Sequence, residues 1–220
     1  MNHQALYPWP TKVKPITKLS ESMLVIAAEM TLPKAIVLEN FLSNEECNDL
    51  IELALPAFKR SEVISTTTGQ TEVYENRTSD GMFLRKRETP TVEKIERRIC
   101  EAFNWQEERT EALQVLRYMP GTHYQAHHDY FNLSYPGTPN ALKRGGQRVA
   151  TLLMYLKTPE EGGETFFPES GLSVQAIKGN AVLFVYEHAD DRSKTLHAGS
   201  PVTKGVKFVA TKWFRQGVFV

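Results

Sequence analysis

From Glu111 to its end the chain is a succession of short segments rich in Val, Leu, Phe, Tyr and Thr, punctuated by Pro-Gly, Gly-Gly and Lys-Gly pairs, and both of its amphipathic helical patterns come earlier. Parallel strands need long crossovers, usually helices, between them. No helix is interleaved here, so the chain is predicted to be α+β and mainly β, its second half an antiparallel sandwich or barrel. The candidate strands are 113–118, 124–129, 148–156, 164–167, 172–175, 181–186, 195–198 and 207–215.

The earlier half supplies support. Ser43-Asn-Glu-Glu46 can satisfy two free backbone donors at a helix start. It opens a predicted helix over 44–55 with Cys47, Leu50, Ile51 and Ala54 on one stripe, stopped by Pro56. A second helix starts at Thr89 with Pro90 in its first position and buries Val92, Ile95, Ile99 and Phe103. Between them, 61–81 is rich in Thr, Ser, Glu, Asn and Gly and reads as a mobile loop or hairpin. Segment 132–146, with Pro136, Pro139 and three glycines, has the length of a functional lid at a barrel mouth. Residues 1–31 carry Pro8, Pro10, Pro15 and scattered Lys without a sustained period, and are expected to be an N-terminal arm over the domain or an ordered edge. That leaves 32–220 as a single domain, with helical support and lid over 32–110 and a β core over 111–220.

Charge and hydropathy exclude several functions. Twenty-six Lys and Arg balance twenty-six Asp and Glu, so there is no positive field to draw the chain to nucleic acid or anionic lipid. The longest apolar runs, 23–28 and 181–186, are far short of the roughly 20 residues of a membrane span. With no apolar signal segment after Lys12, Lys14 and Lys18, a cytoplasmic location is expected. Cys47 and Cys100 are too few for a disulfide framework and read as small core hydrophobes.

The chemistry is carried by histidine. A His followed two residues later by a carboxylate sets both side chains on one face of a strand, but with six histidines such a tripeptide arises about once by chance. Two occur. His188-Ala-Asp190 lies in a hydrophilic stretch with the character of a solvated turn. His127-His-Asp129 follows an aromatic strand entry, and His197 comes seventy residues later, far enough for several barrel strands to intervene. Two histidines and a carboxylate on one face of a coordination octahedron leave open positions, the arrangement of non-heme Fe(II) oxygenases. His128 falls on the opposite strand face and stays outside the set. Lys207 stands in the apolar Val206-Lys-Phe-Val-Ala210. Either it is buried and needs a counter-anion such as a bound carboxylate, or it points outward from an edge strand; the pattern fits both.

The ordered series Tyr118, His127-x-Asp129, Arg148-Val-Ala-Thr-Leu-Leu-Met-Tyr-Leu, Glu161-Gly-Gly-Glu-Thr-Phe-Phe-Pro168, Lys178-Gly-Asn-Ala-Val-Leu-Phe184 and Leu196-His-Ala-Gly-Ser-Pro-Val-x-x-Gly-x-Lys207 resembles the prolyl 4-hydroxylase type of Fe(II)/2-oxoglutarate dioxygenase. The match is close over 113–216 and looser over 35–84. It implies a double-stranded β-helix, or jelly roll, with supporting N-terminal helices. It also implies iron held by His127, Asp129 and His197, and 2-oxoglutarate held by Lys207 with Tyr118 and Thr165 on the same carboxylate. Trp213 matches an aromatic beside the cosubstrate, or is core. Arg148 matches a substrate-facing base, or is a solvated strand-start charge. Tyr124 lines the substrate groove or simply packs.

The implied activity is hydroxylation of a prolyl residue in a peptide or protein, consuming O2 and 2-oxoglutarate and releasing succinate and CO2, with ascorbate as a possible reductant. A free amino acid or small molecule is the alternative substrate, and a non-catalytic ligand-binding barrel a third reading. Arg77-Thr-Ser-Asp-Gly-Met-Phe-Leu84 resembles the segment at the family's substrate lid, which places Arg77 among the substrate residues and 63–76 as the flexible part. Tyr74, Tyr124, Tyr130, Phe131 and Trp213 could offer an aromatic surface to a polyproline II chain. The lack of a signal segment points to a bacterial or viral form rather than a secretory one.

Overall fold

The computed structural model describes residues 16–220. Strands β1 (Ile16–Lys18), β2 (Met23–Thr31) and β3 (Lys34–Glu39) come first. Of the segment 1–31, residues 16–31 thus include two strands at one edge of a sheet, and residues 1–15 lie outside the described part. Helix α1 (Asn44–Ala54) opens on a capping box, in which the Ser43 hydroxyl accepts from the Glu46 amide at 3.2 Å and the Glu46 carboxylate accepts from the Ser43 amide at 2.9 Å. It buries Cys47, Leu50 and Ala54, and gives way to a short 3-10 turn holding Pro56.

Four short strands follow: β4 (Lys59–Arg60), β5 (Glu62–Ile64), β6 (Thr71–Val73) and β7 (Asp80–Leu84). Helix α2 (Pro90–Phe103) is capped by Thr89 and ends at Asn104, whose left-handed backbone (φ 48°) suits a residue just past a helix end. The rest is β8 (Leu113–Tyr118), β9 (Tyr124–His127), a single turn α3 (Thr138–Leu142), β10 (Arg148–Lys157), β11 (Glu161–Gly162), β12 (Thr165–Phe167), β13 (Leu172–Val174), β14 (Ala181–Val185), β15 (His197–Gly199), β16 (Val202–Lys204) and β17 (Lys207–Arg215).

A large antiparallel sheet in the order β1-β2-β3-β14-β10-β17-β8-β7-β4 packs against a smaller one in the order β13-β12-β15-β9. This is a jelly roll. Side-chain alternation sorts the large sheet into two faces. Leu113, Val115, Leu152, Met154, Ala181, Leu183, Ala210 and Phe214 meet Leu50, Ile95, Ile99 and Phe103 of the helices in one core. Leu116, Tyr118, Tyr155, Val182, Phe184 and Val209 face the smaller sheet in a second core with Phe167 and Val202. The helices therefore stiffen the back of the sheet whose front carries the site.

The predicted strands 113–118 and 207–215 appear with the same bounds, and 61–81 holds the hairpin β5–β6. The strand expected over 124–129 stops at His127, so Asp129 stands on the bend that follows. Several elements have no sequence signal. Strands β4, β11 and β16 are two or three residues long, too short to show alternation, and α3 is a single turn inside the segment read as a lid.

One charge pair lies in the helical core. Lys212 of β17 and Glu96 of α2 sit 2.5 Å apart, each about 1% exposed, and the second Glu96 oxygen accepts from the Arg87 amide at 3.0 Å. Removing one partner of such a pair strands the other, whereas replacing both by apolar residues does not. Glu96→Gln is expected to lower the unfolding free energy by about 3–5 kcal/mol, and the double variant Glu96→Leu/Lys212→Met to recover most of that loss, both read by urea denaturation.

Candidate active site

Strands β9 and β15 pair antiparallel with His127 directly opposite His197. Facing positions on adjacent strands bring side chains together, and the two imidazole centroids are 4.3 Å apart. Each ring has its Nδ1 on the backbone carbonyl two residues earlier, Gln125 at 2.8 Å and Thr195 at 2.9 Å. An Nδ1–H donated in this way leaves the Nε2 lone pair free for a metal. The bend after β9 then brings Asp129 in, with Oδ1 at 3.5 Å from His127 Nε2 and Oδ2 at 3.8 Å from His197 Nε2. One ligand atom from each of the three lies within 4.8 Å of the others.

The carboxylate is oriented from the large sheet. Asp129 Oδ2 accepts from Thr151 Oγ1 at 2.7 Å, Trp213 Nε1 at 3.0 Å and the Tyr186 hydroxyl at 3.2 Å. Three donors on one oxygen direct the other toward the imidazoles. Burial alone would raise the Asp129 carboxyl, yet its contact with His127 and the charge of Arg148 hold it well below the usual carboxylate range. Burial, reinforced by His127, pushes His197 down to about 4, so its imidazole is neutral at physiological pH and open to a cation. Nitrogen and carboxylate donors on one side of an open cavity fit Fe(II).

The cavity has a volume of about 1000 Å³ and is lined by all three candidate ligands and by Tyr118, Thr165 and Lys207. Lys207 is buried, and β17 lies between β10 and β8, which removes the edge-strand alternative. Among the described residues its ammonium makes no hydrogen bond or ion pair, and it sits 5.1 Å from the Tyr118 ring centre and 5.9 Å from that of Tyr155. Gly163, in the left-handed region at φ 77°, passes so close that a Cβ there would be 3.1 Å from Lys207 Cδ. Thr165 accepts from the Tyr155 hydroxyl at 2.8 Å. An ammonium buried without an anion is costly. A dicarboxylic cosubstrate spanning from the three ligands to Lys207 would supply one.

A family model described as the 2OG-Fe(II) oxygenase superfamily matches residues 113–215. Prolyl 4-hydroxylase 1 of Arabidopsis thaliana is 43% identical over 201 residues, spanning 84% of this chain and 69% of the plant protein. Prolyl 4-hydroxylase 5 of the same plant is 41% identical over 209 residues, 85% of this chain and 70% of that protein. The 2OG complex of a viral collagen prolyl hydroxylase from Paramecium Bursaria Chlorella virus-1 superposes with a TM-score of 0.62 at 29% identity, over 82% of this chain and 95% of that one. The chain belongs to the 2OG-Fe(II) oxygenase superfamily. Within it the chain is a member of the prolyl 4-hydroxylase family and a dioxygenase.

Around the dioxygenase site, several residues sit differently from their simplest sequence readings. Arg148 is not solvated. Its guanidinium makes two bonds to Glu111, at 2.7 and 2.9 Å, and lies 4.1 Å from the Trp213 ring centre. Trp213 is buried, but its N–H engages the Asp129 carboxylate, so it is more than core. Tyr124 stacks on His127 at 3.6 Å between ring centres, and the Arg77 guanidinium lies over the Tyr124 ring at 4.8 Å from its centre. Arg77 is itself buried, donating to the Glu62 carbonyl at 2.7 Å and to Gln114 at 3.1 Å. All five residues of the expected aromatic surface line the cavity, Tyr130 from the inner core and Tyr74 from an exposed position after β6. His128 turns away toward Tyr130 and Asp191, and Asp190 caps the 3-10 turn after His188. Sequence reading passes over Thr151, Tyr186 and Glu111. A hydroxyl in the middle of the apolar strand Arg148–Lys157 was the available signal, since a buried polar group needs a partner.

Burial pushes the Lys207 ammonium down to about 8, with the charge of Glu164 opposing the shift. It is cationic below that pH and neutral above, so affinity for 2-oxoglutarate, measured anaerobically by calorimetry on the metal-loaded protein, is expected to weaken as the pH rises past about 8. Lys207→Met should cost about 2–5 kcal/mol of binding, on the order of 30-fold or more. The same variant should unfold no earlier than the wild type, because it removes a buried charge that has no partner.

Proposed function

We propose that this chain hydroxylates a prolyl residue within a peptide or protein, using Fe(II), 2-oxoglutarate and dioxygen. The observation that carries the reading is one cavity holding a His-Asp-His cluster at one point and an unpaired buried ammonium at another, in a chain about 40% identical to plant prolyl 4-hydroxylases. An open groove flanked by a hairpin and a long linker suits an extended chain better than an enclosed pocket would. A polyproline II segment loses little entropy on docking there. Two cysteines that form no disulfide agree with a reducing, cytoplasmic compartment.

In this reading His127, Asp129 and His197 hold the iron, and Lys207, Tyr118 and Thr165 hold the far carboxylate of 2-oxoglutarate. When bound, iron and 2-oxoglutarate supply with dioxygen the oxidising power that converts a C–H bond to C–OH, releasing succinate and CO2. The protein's part is positional. The Gln125 and Thr195 carbonyls fix both imidazole tautomers, and Thr151, Tyr186 and Trp213 fix the carboxylate. Tyr124, stacked on His127 and facing the cavity, offers an aromatic wall against which a proline ring can pack and exclude water. Arg77 and Arg148, each held by its own partners, line the cavity in which the peptide would lie.

Incubation with Fe(II), 2-oxoglutarate and a proline-rich peptide is expected to add one oxygen to the peptide by mass spectrometry, with succinate formed in equal amount. Product from free proline and none from peptide would contradict the reading.

A further inference from the structure

The cavity extends well beyond the three candidate ligands and Lys207. On the front of the large sheet a row of facing positions crosses three strands, with Phe83 of β7 opposite Gln114 of β8, and Gln114 opposite Thr211 of β17. All three line the cavity. Alternation sets them on this face, because their strand neighbours Met82, Leu84, Leu113, Val115 and Ala210 pack in the helical core. Two residues past Thr211 on the same face is Trp213, which bonds Asp129. The row therefore runs from beside the His-Asp-His cluster to the outer part of the sheet.

Two of its members are unexplained by the fold. Gln114 is 3% exposed, and its Oε1 accepts from Arg77 at 3.1 Å. Among the described residues its Nε2 donates to nothing. That amide nitrogen lies over the glycine of the neighbouring strand, where a Cβ on Gly81 would be 3.3 Å from it. A buried donor with no acceptor is costly, and an occupant that brings an acceptor removes the cost. Phe83 stands at the other end of the row. Strand β4 flanks β7 only at Asp80 and Gly81, and the Phe83 side chain beyond them is 54% exposed, with no ring partner among the described residues.

The two features fit one kind of occupant. A proline-rich chain in the polyproline II form has carbonyls without internal partners and, at each proline, no N–H to donate. It offers acceptors and apolar rings, the complements of a free amide donor and an exposed aromatic face. Adjacent strands lie about 4.8 Å apart, so Thr211 and Phe83 are separated by about 10 Å, the span of about three residues rising about 3.1 Å each.

We propose that Gln114 and Phe83 form a second docking subsite for the substrate chain, in which Gln114 Nε2 donates to a main-chain carbonyl and the Phe83 ring packs on a proline about three or four residues from the one hydroxylated. The inference rests on the peptide reading above and narrows it: the substrate is a proline-rich segment that continues past its target, not an isolated prolyl residue.

Initial rates on the iron-loaded enzyme test this with a short peptide, two residues on each side of the target proline, and with the same peptide lengthened by four prolines at one end or the other. Lengthening at one end is expected to lower the KM by about five- to tenfold. Phe83→Ala, which removes an exposed ring, should erase that gain. Gln114→Glu keeps an acceptor for Arg77 but turns the donor into an anion facing a carbonyl, and should raise the KM of the lengthened peptide by about tenfold while anaerobic 2-oxoglutarate affinity is kept. No gain from lengthening at either end, an equal rise in KM for short and lengthened peptides in Phe83→Ala, or a parallel loss of 2-oxoglutarate affinity in Gln114→Glu would overturn the proposal. If no peptide is turned over at all, the hydroxylation reading falls, and anaerobic binding of the fluorescently labelled lengthened peptide then decides the subsite: binding weakened in Phe83→Ala supports it, and binding that is absent or unchanged in the variant contradicts it.

Discussion

A single buried carboxylate ties the two sheets of this protein together. Asp129 stands on a bend beyond the small sheet, and the three groups that donate to its Oδ2 come from β10, from β17 and from the residue after β14, which are neighbours in the large sheet. Thr151 and Trp213 face each other across the β10–β17 pair, and Thr151 lies opposite Phe184, two residues before Tyr186. A slip of one residue in either register would turn these donors to the helical face. The pairing of the large sheet and the orientation of the Asp129 carboxylate toward the two imidazoles are thus one constraint, and an ionised carboxylate is tolerable at that depth only because the donors are there.

The same division of labour runs through the molecule. Helices α1 and α2 cover the back of the large sheet with apolar stripes and keep their charges in pairs: Arg98 bonds Glu46 at 2.6 Å and Lys212 meets Glu96. The front carries polar residues: Lys207, Thr211 and Trp213 of β17 line the cavity, and Thr151 of β10 holds the Asp129 carboxylate. Lys207 is the one charge among these, and it has no local ion-pair partner among the described residues. In the proposed function its partner is the far carboxylate of the cosubstrate, a role that would account for a cation buried without an anion of its own.

What was legible in the sequence was whatever local rules control. Ser43 with Glu46, and Thr89 with Pro90, announce helix starts because capping is satisfied within four residues. The strands at 113–118 and 207–215 alternate clearly between two buried faces. His127 and His197 could be singled out as candidates, but their facing register is a property of the β9–β15 pairing. Arg148 reads as a solvated strand-start charge until Glu111, 37 residues earlier, is seen to hold it. Lys207 was ambiguous for the same reason: a strand's place in a sheet depends on its neighbours, and only the order β10-β17-β8 makes it central. The contact between Gly69 and Gly137 joins two irregular loops and has no periodic signature at all.

The account stands on the convergence of His127, Asp129 and His197 on one ferrous ion. Crystals grown without oxygen in the presence of Fe(II) and 2-oxoglutarate, with an anomalous difference map recorded at the iron edge, address it directly. The expected result is one peak per chain, bonded to Nε2 of both histidines and to an Asp129 carboxylate oxygen, and missing in Asp129→Ala. Iron bound elsewhere, or retained unchanged in that variant, would contradict the account.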